Sequence, residues 1–136
     1  MRYTVDVENN REVWYKENTK EYHRENGPAY ILYYENGAKQ FENYHLNNKL
    51  HNENGPASIH YDMDGNLTYQ QWSTKRKFHN ENGPARIWYN KDGSIKDRQW
   101  WIDDKQLTEE EFNNRKKSCG GKVVEIEGKK YKLVEV

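Results

Sequence analysis

Residues 51–57 read His-Asn-Glu-Asn-Gly-Pro-Ala, and this heptapeptide organises the whole chain. Residues 79–85 repeat it unchanged, and residues 23–29 repeat it with Arg at the second position. The spacing is 28 residues both times. The same period sets an Ile, a Tyr, a Gly and a large aromatic residue in every unit: Ile31, Ile59 and Ile87; Tyr33, Tyr61 and Tyr89; Gly37, Gly65 and Gly93; Tyr44, Trp72 and Trp100. So many matches at one period are typical of a stacked array of repeats.

Each unit has the pattern of a β-hairpin. In the second unit, residues 57–61 alternate small or apolar with polar side chains, and residues 67–72 resume an extended pattern after a turn. The turns are expected near Asn36-Gly37, Asp64-Gly65 and Asp92-Gly93. We therefore predict an all-β fold, an elongated antiparallel sheet of stacked β-hairpin repeats with a period of 28 residues, followed by a short C-terminal helix and a terminal hairpin.

The repeat array is predicted to occupy residues 1–107, with units starting at residues 23, 51 and 79. Residues 1 to about 22 are predicted to form an N-terminal cap. They resemble a degenerate half-unit, because Trp14 precedes the first heptapeptide at nearly the distance at which Trp72 precedes the third.

The C-terminal part of the chain departs from the repeat. Thr108 and Glu111 form a capping box that opens a short helix over residues 108–117. Residues 118–136 are predicted to form a Ser-Cys-Gly-Gly linker that breaks the helix, and then a hairpin of residues 122–126 and 129–136 around Glu127-Gly128.

The composition indicates an ordered protein with a thin core. Leu, Ile, Val and Phe supply only 22 of the 136 residues, whereas Tyr and Trp supply 16 of the 19 aromatic side chains. Tyr and Trp have an apolar body and a polar rim, so a half-buried sheet can use them on either face. The 22 basic residues balance 22 acidic ones, which argues against a dedicated nucleic-acid binder.

The single cysteine, Cys119, lies in Ser-Cys-Gly-Gly without a neighbouring base. A linker thiol is favoured over a nucleophile, and no internal disulfide can form. No apolar stretch predicts a signal peptide or a transmembrane segment, so we expect a cytoplasmic protein. No nucleophile elbow, phosphate loop, HExxH or paired-cysteine motif is present, and we expect no cofactor and no catalytic residue.

The units also resemble a known family. Residues 55–65 read Gly-Pro-Ala-Ser-Ile-His-Tyr-Asp-Met-Asp-Gly, and an aromatic strand follows. In the pattern Gly-Pro-Ala-x-Ile-x-Tyr-x-x-x-Gly, residues 14–107 resemble the MORN-repeat family, in particular the variant repeats of bacteria and their phages. Common MORN units are shorter and richer in glycine, and here the His-x-Glu-Asn-Gly-Pro-Ala segment lengthens each unit.

The resemblance implies hairpin sheets that act as scaffolds or interaction surfaces, and lipid binding has been proposed for some members of the family. The helix and the tail from Gly121 onwards also resemble the ending of small phage-encoded proteins. A phage protein of this type would act in the host cytoplasm.

Three histidines recur with a glutamate two residues later: His23 with Glu25, His51 with Glu53, and His79 with Glu81. Equivalent positions of a hairpin array lie two strands apart, about 9–10 Å. Ligands of one zinc ion must lie within about 2.0–2.2 Å of it, so two equivalent histidines cannot share an ion. We predict that these residues hydrogen-bond the turn backbone of the Asn-Gly-Pro corner, with metal binding and catalysis as the alternatives.

Strand alternation separates two faces of the predicted sheet. One face is constant and should be the packed one: Ala29, Ile31 and Tyr33; Ala57, Ile59 and Tyr61; Ala85, Ile87 and Tyr89. The other face changes from unit to unit: Tyr30, Leu32 and Tyr34; Ser58, His60 and Asp62; Arg86, Trp88 and Asn90.

Architecture does not fix the variable face, so function can have selected its residues. Arg86, Trp88 and Trp101 are the predicted hot spot, because Trp and Arg most often dominate binding energy. Tyr30, Tyr34 and His60 are further candidate binding residues on this face. The alternative is that Trp88 and Tyr34 lie under the terminal helix or hairpin.

Three functions are compatible with these patterns. The first is a non-enzymatic binding or scaffold module, a small phage or bacterial accessory protein that inhibits or recruits a partner protein, for example as an inhibitor of host defence. The second is a protein that sequesters a small nucleotide-like ligand between aromatic and Arg side chains, and the third is a hydrolase or nuclease that uses His and Glu. They predict, respectively, an aromatic patch, a concave pocket with convergent basic groups, and a singular His-Glu-Asn cluster. Open sheet edges at the ends of the array would also permit oligomers.

Overall fold

The computed structural model describes residues 2–120, 123–126 and 129–132 and confirms the predicted fold class. The strands are β1 (Tyr3–Glu8), β2 (Arg11–Lys16), β3 (Tyr30–Tyr33), β4 (Lys39–Asn43), β5 (His45–Leu46), β6 (Lys49–Leu50), β7 (Ser58–Tyr61), β8 (Leu67–Gln71), β9 (Ser73–Thr74), β10 (Lys77–Phe78), β11 (Arg86–Tyr89), β12 (Ile95–Ile102), β13 (Lys105–Leu107), β14 (Val123–Ile126) and β15 (Lys129–Lys132). Nine of them form one antiparallel sheet in the order β1-β2-β3-β4-β7-β8-β11-β12-β13. Consecutive strands of this sheet are therefore neighbours in space.

The predicted hairpin turns lie where the glycines of the repeat indicated. Gly37, Gly65 and Gly93 have φ angles of 87°, 87° and 91°, which side chains rarely adopt. In the second unit, the Asp62 N–H donates to the Asn66 carbonyl at 2.9 Å and closes the turn. Each turn is followed by a shift of register between the paired strands.

Each unit also contains a second, shorter hairpin that the sequence analysis did not predict. Its two turn residues both have positive φ: Asn47 and Asn48, Lys75 and Arg76, and Asp103 and Asp104. Paired positive φ angles are typical of type I′ turns, whose twist matches that of antiparallel strands. The turns join β5 to β6, β9 to β10, and β12 to β13.

The constant face is the better packed one, as predicted. Ala29, Ala57 and Ala85 are fully buried, and Ile31 and Ile87 are 6% and 9% exposed. The core is thin, because the larger aromatic side chains of the same face stay partly exposed. The variable face contributes buried residues as well, Val13 and Ser58 among them.

Hydrogen bonds on the constant face join successive units. The Tyr61 hydroxyl donates to Glu42 at 2.8 Å, and the Tyr89 hydroxyl donates to Gln70 at 2.5 Å in the equivalent position. Burial, with help from the Glu42 hydrogen bond, raises the pKa of Tyr61 to about 12. The constant tyrosines therefore couple each unit to the one before it.

The array ends at a helix, α1 (Glu109–Gly120). The predicted capping box is confirmed, because the Glu111 N–H donates to the Thr108 hydroxyl at 3.1 Å and the Thr108 N–H donates to the Glu111 carboxylate at 3.0 Å. The predicted break at Ser118 is wrong, since α1 continues to Gly120. One glycine costs a helix only about 1 kcal/mol and is common at its end.

Strands β14 and β15 pair antiparallel, as predicted for the terminal hairpin. Its predicted turn at Glu127-Gly128 lies outside the described residues. Within the described part of the chain, no helix is long and apolar enough to cross a membrane.

Candidate functional site

The three repeated histidines fasten the start of each unit to the short hairpin at the end of the same unit. The Nδ1 atoms of His23, His51 and His79 accept the backbone N–H groups of Asn47, Lys75 and Asp103 at 2.9, 3.1 and 3.0 Å. Each histidine is the first residue of its unit, and each donor lies in the two-residue turn of the short hairpin of that same unit. His23 and His51 are buried, and His79 is partly exposed at the end of the array.

The histidines do not support the Asn-Gly-Pro corner of their own unit, which is where the sequence analysis expected them. The corner is held by the residue after the histidine. Asn52 and Asn80 donate from Nδ2 to the carbonyls of Pro56 and Pro84 at 3.0 and 2.9 Å. The short Asn side chain reaches this carbonyl directly, whereas the imidazole ring projects towards the short hairpin at the end of its own unit.

The glutamates of the repeat have weak contacts. Glu25, Glu53 and Glu81 lie 4.0, 3.4 and 3.7 Å from the Nε2 atoms of their histidines, and their side chains are half or more exposed. The same pair thus occurs three times along the array instead of once in an asymmetric cluster. Among the described residues, no three His, Cys, Asp or Glu side chains group closely enough to hold a metal ion.

The variable face carries a continuous row of aromatic rings, which we call the aromatic ladder. Its members, in order across the sheet, are Tyr15, Tyr22, Tyr30, Phe41, His60, Tyr69 and Trp88. Successive ring centroids are 5.7, 5.8, 5.2, 5.7, 5.2 and 5.3 Å apart. These separations are those of favourable ring pairs, and every ring is partly exposed.

Strand register explains the central part of the ladder. Phe41 lies opposite His60, His60 lies opposite Tyr69, and Tyr69 lies opposite Trp88. Residues directly opposite in antiparallel strands share a face and approach closely. Four strands from three units therefore bring their rings into contact, although no one aromatic residue type recurs at these positions of the repeat.

The predicted hot spot is assembled at the C-terminal end of the ladder. The Arg86 guanidinium lies 4.7 Å from the ring centroid of Trp88 and 4.8 Å from that of Phe78. Phe78 in turn contacts Trp101 at 4.9 Å between centroids. The structure thus groups Arg86, Trp88 and Trp101, with Phe78 between the arginine and the second tryptophan.

Hydrogen bonds fix the orientation of this cluster. Arg86 donates from Nε to the Tyr69 hydroxyl at 2.9 Å and from Nη1 to the side-chain oxygen Oε1 of Gln99 at 3.4 Å. Trp101 donates from Nε1 to the same oxygen at 3.0 Å. The planar side chains are therefore held in place before any partner binds, which reduces the side-chain conformational entropy that is lost on binding.

Two histidines of the variable face are neutral near pH 7. Burial lowers the pKa of both His60 and His45. The His45 ring contacts the Tyr22 ring, with 5.2 Å between the centroids. His60 also lies 3.1 Å from the Ser58 hydroxyl through Nε2. Protonation would place a partly buried positive charge among the rings.

Tyr34 differs from the other predicted binding residues. Its hydroxyl donates to the Tyr61 carbonyl at 2.8 Å and so joins the turns of two units. This contact gives Tyr34 a structural role beside the ladder, whereas Tyr30 and His60 are members of it.

The terminal helix packs at the end of the sheet and not over the ladder. Its contacts are with β12 and β13, and Glu109 lies 3.7 Å from Arg98. Arg98 lies opposite Ile87 and therefore on the constant face. The contacts of the helix therefore do not support the alternative in which α1 covers Trp88.

Sequence reasoning missed five members of this surface: Tyr15, Tyr22, Phe41, Tyr69 and Phe78. It compared the first strands of the hairpins position by position and took only Trp101 from a second strand. The signal was present in the second strand, where Phe41, Tyr69 and Asp97 occupy equivalent positions at the period of 28 residues.

A small-ligand site would need aromatic and basic groups to converge in a pocket. The groove beside His51 has a volume of about 350 Å³ and is lined by Leu46, Asn47, Lys49, His51, Glu53 and Lys75. It contains two lysines but no tyrosine or tryptophan, whereas Arg98 and Trp100 converge in another groove, of about 320 Å³, at the end of the array. The ladder and this basic groove are therefore separate features.

Comparison of the chain with protein-family models, with curated proteins and with solved structures gave no match.

Proposed function

We propose that this chain is a non-enzymatic binding module that engages a partner protein through the aromatic ladder and the Arg86 cluster at its end. The observation that carries the proposal is the continuous contact of seven partly exposed rings across the variable face. Exposed aromatic surface of this kind is enriched in protein interfaces, where each ring covers much area with few torsions.

The charges near the ladder favour a protein partner over a nucleic acid. Arg11 lies 3.6 Å from Asp6 and 4.0 Å from Glu8, so the positive charge at the N-terminal end is paired. At the other end, Arg86 has Asp97 as a neighbour, since Asp97 lies opposite Trp88. Phosphate binding needs a basic stripe, and a surface of alternating charge fits a polypeptide better.

The architecture also favours binding over catalysis. The three His-Glu pairs are equivalent, and the Nδ1 atom of every one of these histidines accepts a backbone hydrogen bond. A hydrolase would need one asymmetric group of different side chains. The resemblance to MORN repeats supports the same conclusion, and on that resemblance we propose a small bacterial or phage accessory protein that inhibits or recruits its partner.

The proposal is tested by affinity capture from bacterial lysate with immobilised wild-type chain, Trp88→Ala and Tyr89→Ala. Trp88 belongs to the ladder, while Tyr89 is its neighbour in the same strand and points to the constant face. Thermal denaturation of each variant shows whether it is folded. We expect a partner that is retained by wild type and Tyr89→Ala and lost by folded Trp88→Ala. A partner retained equally by all three proteins would contradict the proposed surface.

A further inference from the structure

The open edge of the nine-stranded sheet is β1. It pairs with β2 over six consecutive residues without a register shift. The opposite edge strand, β13, has three residues, includes Lys105 and leads directly into α1. Short length, bulges and lysines are the features that keep sheet edges from pairing with other chains, and β1 has none of them.

The outward polar groups of β1 belong to its odd-numbered residues. The Trp14 N–H donates to the Ala29 carbonyl, so Trp14 directs its backbone groups from β2 towards β3. The backbone N–H and C=O groups of Val13 therefore point towards β1, and those of its partner Asp6 point back towards β2. Alternation leaves the N–H and C=O groups of Tyr3, Val5 and Val7 directed at the open edge.

The side chains of the edge are also unusually apolar. Val5 and Val7 are 42% and 72% exposed on the constant face, two of the four large apolar residues exposed in the described chain. On the other face the edge carries Arg2, Thr4, Asp6 and Glu8. The Arg2 guanidinium lies 3.7 Å from Glu17 and its side chain is 85% exposed, and such a weak surface pair can be exchanged for a carboxylate of a second chain.

We propose that β1 pairs antiparallel with β1 of a second copy of this chain, in the register that puts Val5 against Val5. In that register Tyr3 faces Val7, Thr4 faces Asp6 and Arg2 faces Glu8 of the other copy. Three pairs exchange two backbone hydrogen bonds each, namely Val5 with Val5 and the two equivalent pairs of Tyr3 with Val7. Each face is then complementary, with apolar and aromatic pairs on one side and, on the other, Arg2 against Glu8 as opposite charges and Thr4 against Asp6 as a polar pair.

Neighbouring registers are less favourable. A shift that sets Val5 against Val7 brings Asp6 against Asp6, and like charges directly opposite destabilise a strand pair. A shift in the other direction sets Tyr3 against Val5 and Arg2 against Asp6, but it moves Val7 beyond Tyr3 and Glu8 beyond Arg2, so fewer of the described residues of β1 are paired. A shift by one residue would oppose the apolar face of one copy to the polar face of the other.

The first test is sedimentation velocity on the full chain at increasing concentration. Wild type is expected to show a monomer–dimer equilibrium in the micromolar range. Val5→Lys puts two ammonium groups across the dimer axis and should weaken dimerisation about tenfold or more. Ile95→Lys is the matched control, because Ile95 is also a β-branched strand residue and is 49% exposed. It should leave the dimer unchanged.

The second test fixes the register. Arg2→Glu and Glu8→Arg should each weaken dimerisation, because each opposes like charges at both ends of the paired strands. An equimolar mixture of the two variants should restore the dimer as a heterodimer. Wild type that stays monomeric at all concentrations, or Val5→Lys that dimerises like wild type, would overturn the proposal. Failure of the mixture to restore the dimer would overturn it as well.

Discussion

Replacement of His51 by alanine tests the hydrogen bond that joins the start of a unit to the short hairpin at its end. The imidazole Nδ1 accepts the Lys75 N–H at 3.1 Å, and the residue is 8% exposed. His51→Ala removes the acceptor and leaves a partly buried N–H without its partner, which costs about 1–3 kcal/mol. In a chain of this length that loss corresponds to a fall of about 3–12 °C in the unfolding midpoint.

Two conservative variants separate the hydrogen bond from the packing of the ring. The side-chain oxygen of asparagine, like Nδ1 of histidine, is bonded to Cγ, so His51→Asn keeps an acceptor near the position of Nδ1. His51→Gln places its polar atoms one bond further out. Urea and thermal unfolding should rank the stabilities as wild type, Asn, Gln and then Ala. Equal destabilisation by Asn and Ala would refute the role of the acceptor, and so would an Ala variant as stable as wild type.

Three further predictions concern the turns, the helix and the rings. Gly65→Ala forces a side chain into a φ of 87° and should lower stability by about 1–2 kcal/mol in urea unfolding, whereas Gly55→Ala, which meets only Asn52 at 3.8 Å, should cost much less. Thr108→Ala removes the cap of α1 and should cost about 1 kcal/mol of local helix stability, seen as faster amide exchange over residues 109–115, while Thr108→Ser should not. Burial lowers the pKa of His45 and His60, so their contribution to stability is fully present above the pKa of about 6.5 in the unfolded chain and is lost as the pH falls through the folded pKa values. The unfolding temperature should therefore decrease when the pH is lowered below about 6.5, and it should decrease less for His60→Gln than for wild type.

The period of the sequence predicted those parts of the fold that depend on local chemistry. The turns at Gly37, Gly65 and Gly93 need positive φ, which glycine adopts without strain. The capping box at Thr108 likewise depends on side chains only three residues apart. Such features can be recognised from the residues themselves.

The short hairpins could not be predicted in the same way. Lys75 and Arg76 both have positive φ, although neither residue type favours it. The turn is held by a residue distant in sequence, because His51, at the start of the same unit, accepts the Lys75 N–H. Tertiary contact therefore overrides local preference at this position.

The aromatic ladder depends on register between strands. Alternation within one strand indicated which side chains share a face, and it correctly grouped Arg86 with Trp88. It did not reveal that Phe41 and Tyr69 flank His60, because that neighbourhood is created by β4 and β8 pairing on either side of β7. Two strands of different units must be aligned before the row of rings can be recognised.

The central claim is that the partner binds the ladder, and the most direct test compares two tyrosines of one strand. Tyr30 contacts Tyr22 and Phe41 in the ladder, whereas Tyr33 lies in the same strand and points to the opposite face. Isothermal titration of the captured partner should give a dissociation constant about thirtyfold higher for Tyr30→Ala, as expected for a hot-spot aromatic residue, and one close to wild type for Tyr33→Ala. A larger loss with Tyr33→Ala, or no loss with Tyr30→Ala, would contradict the assignment of the binding face.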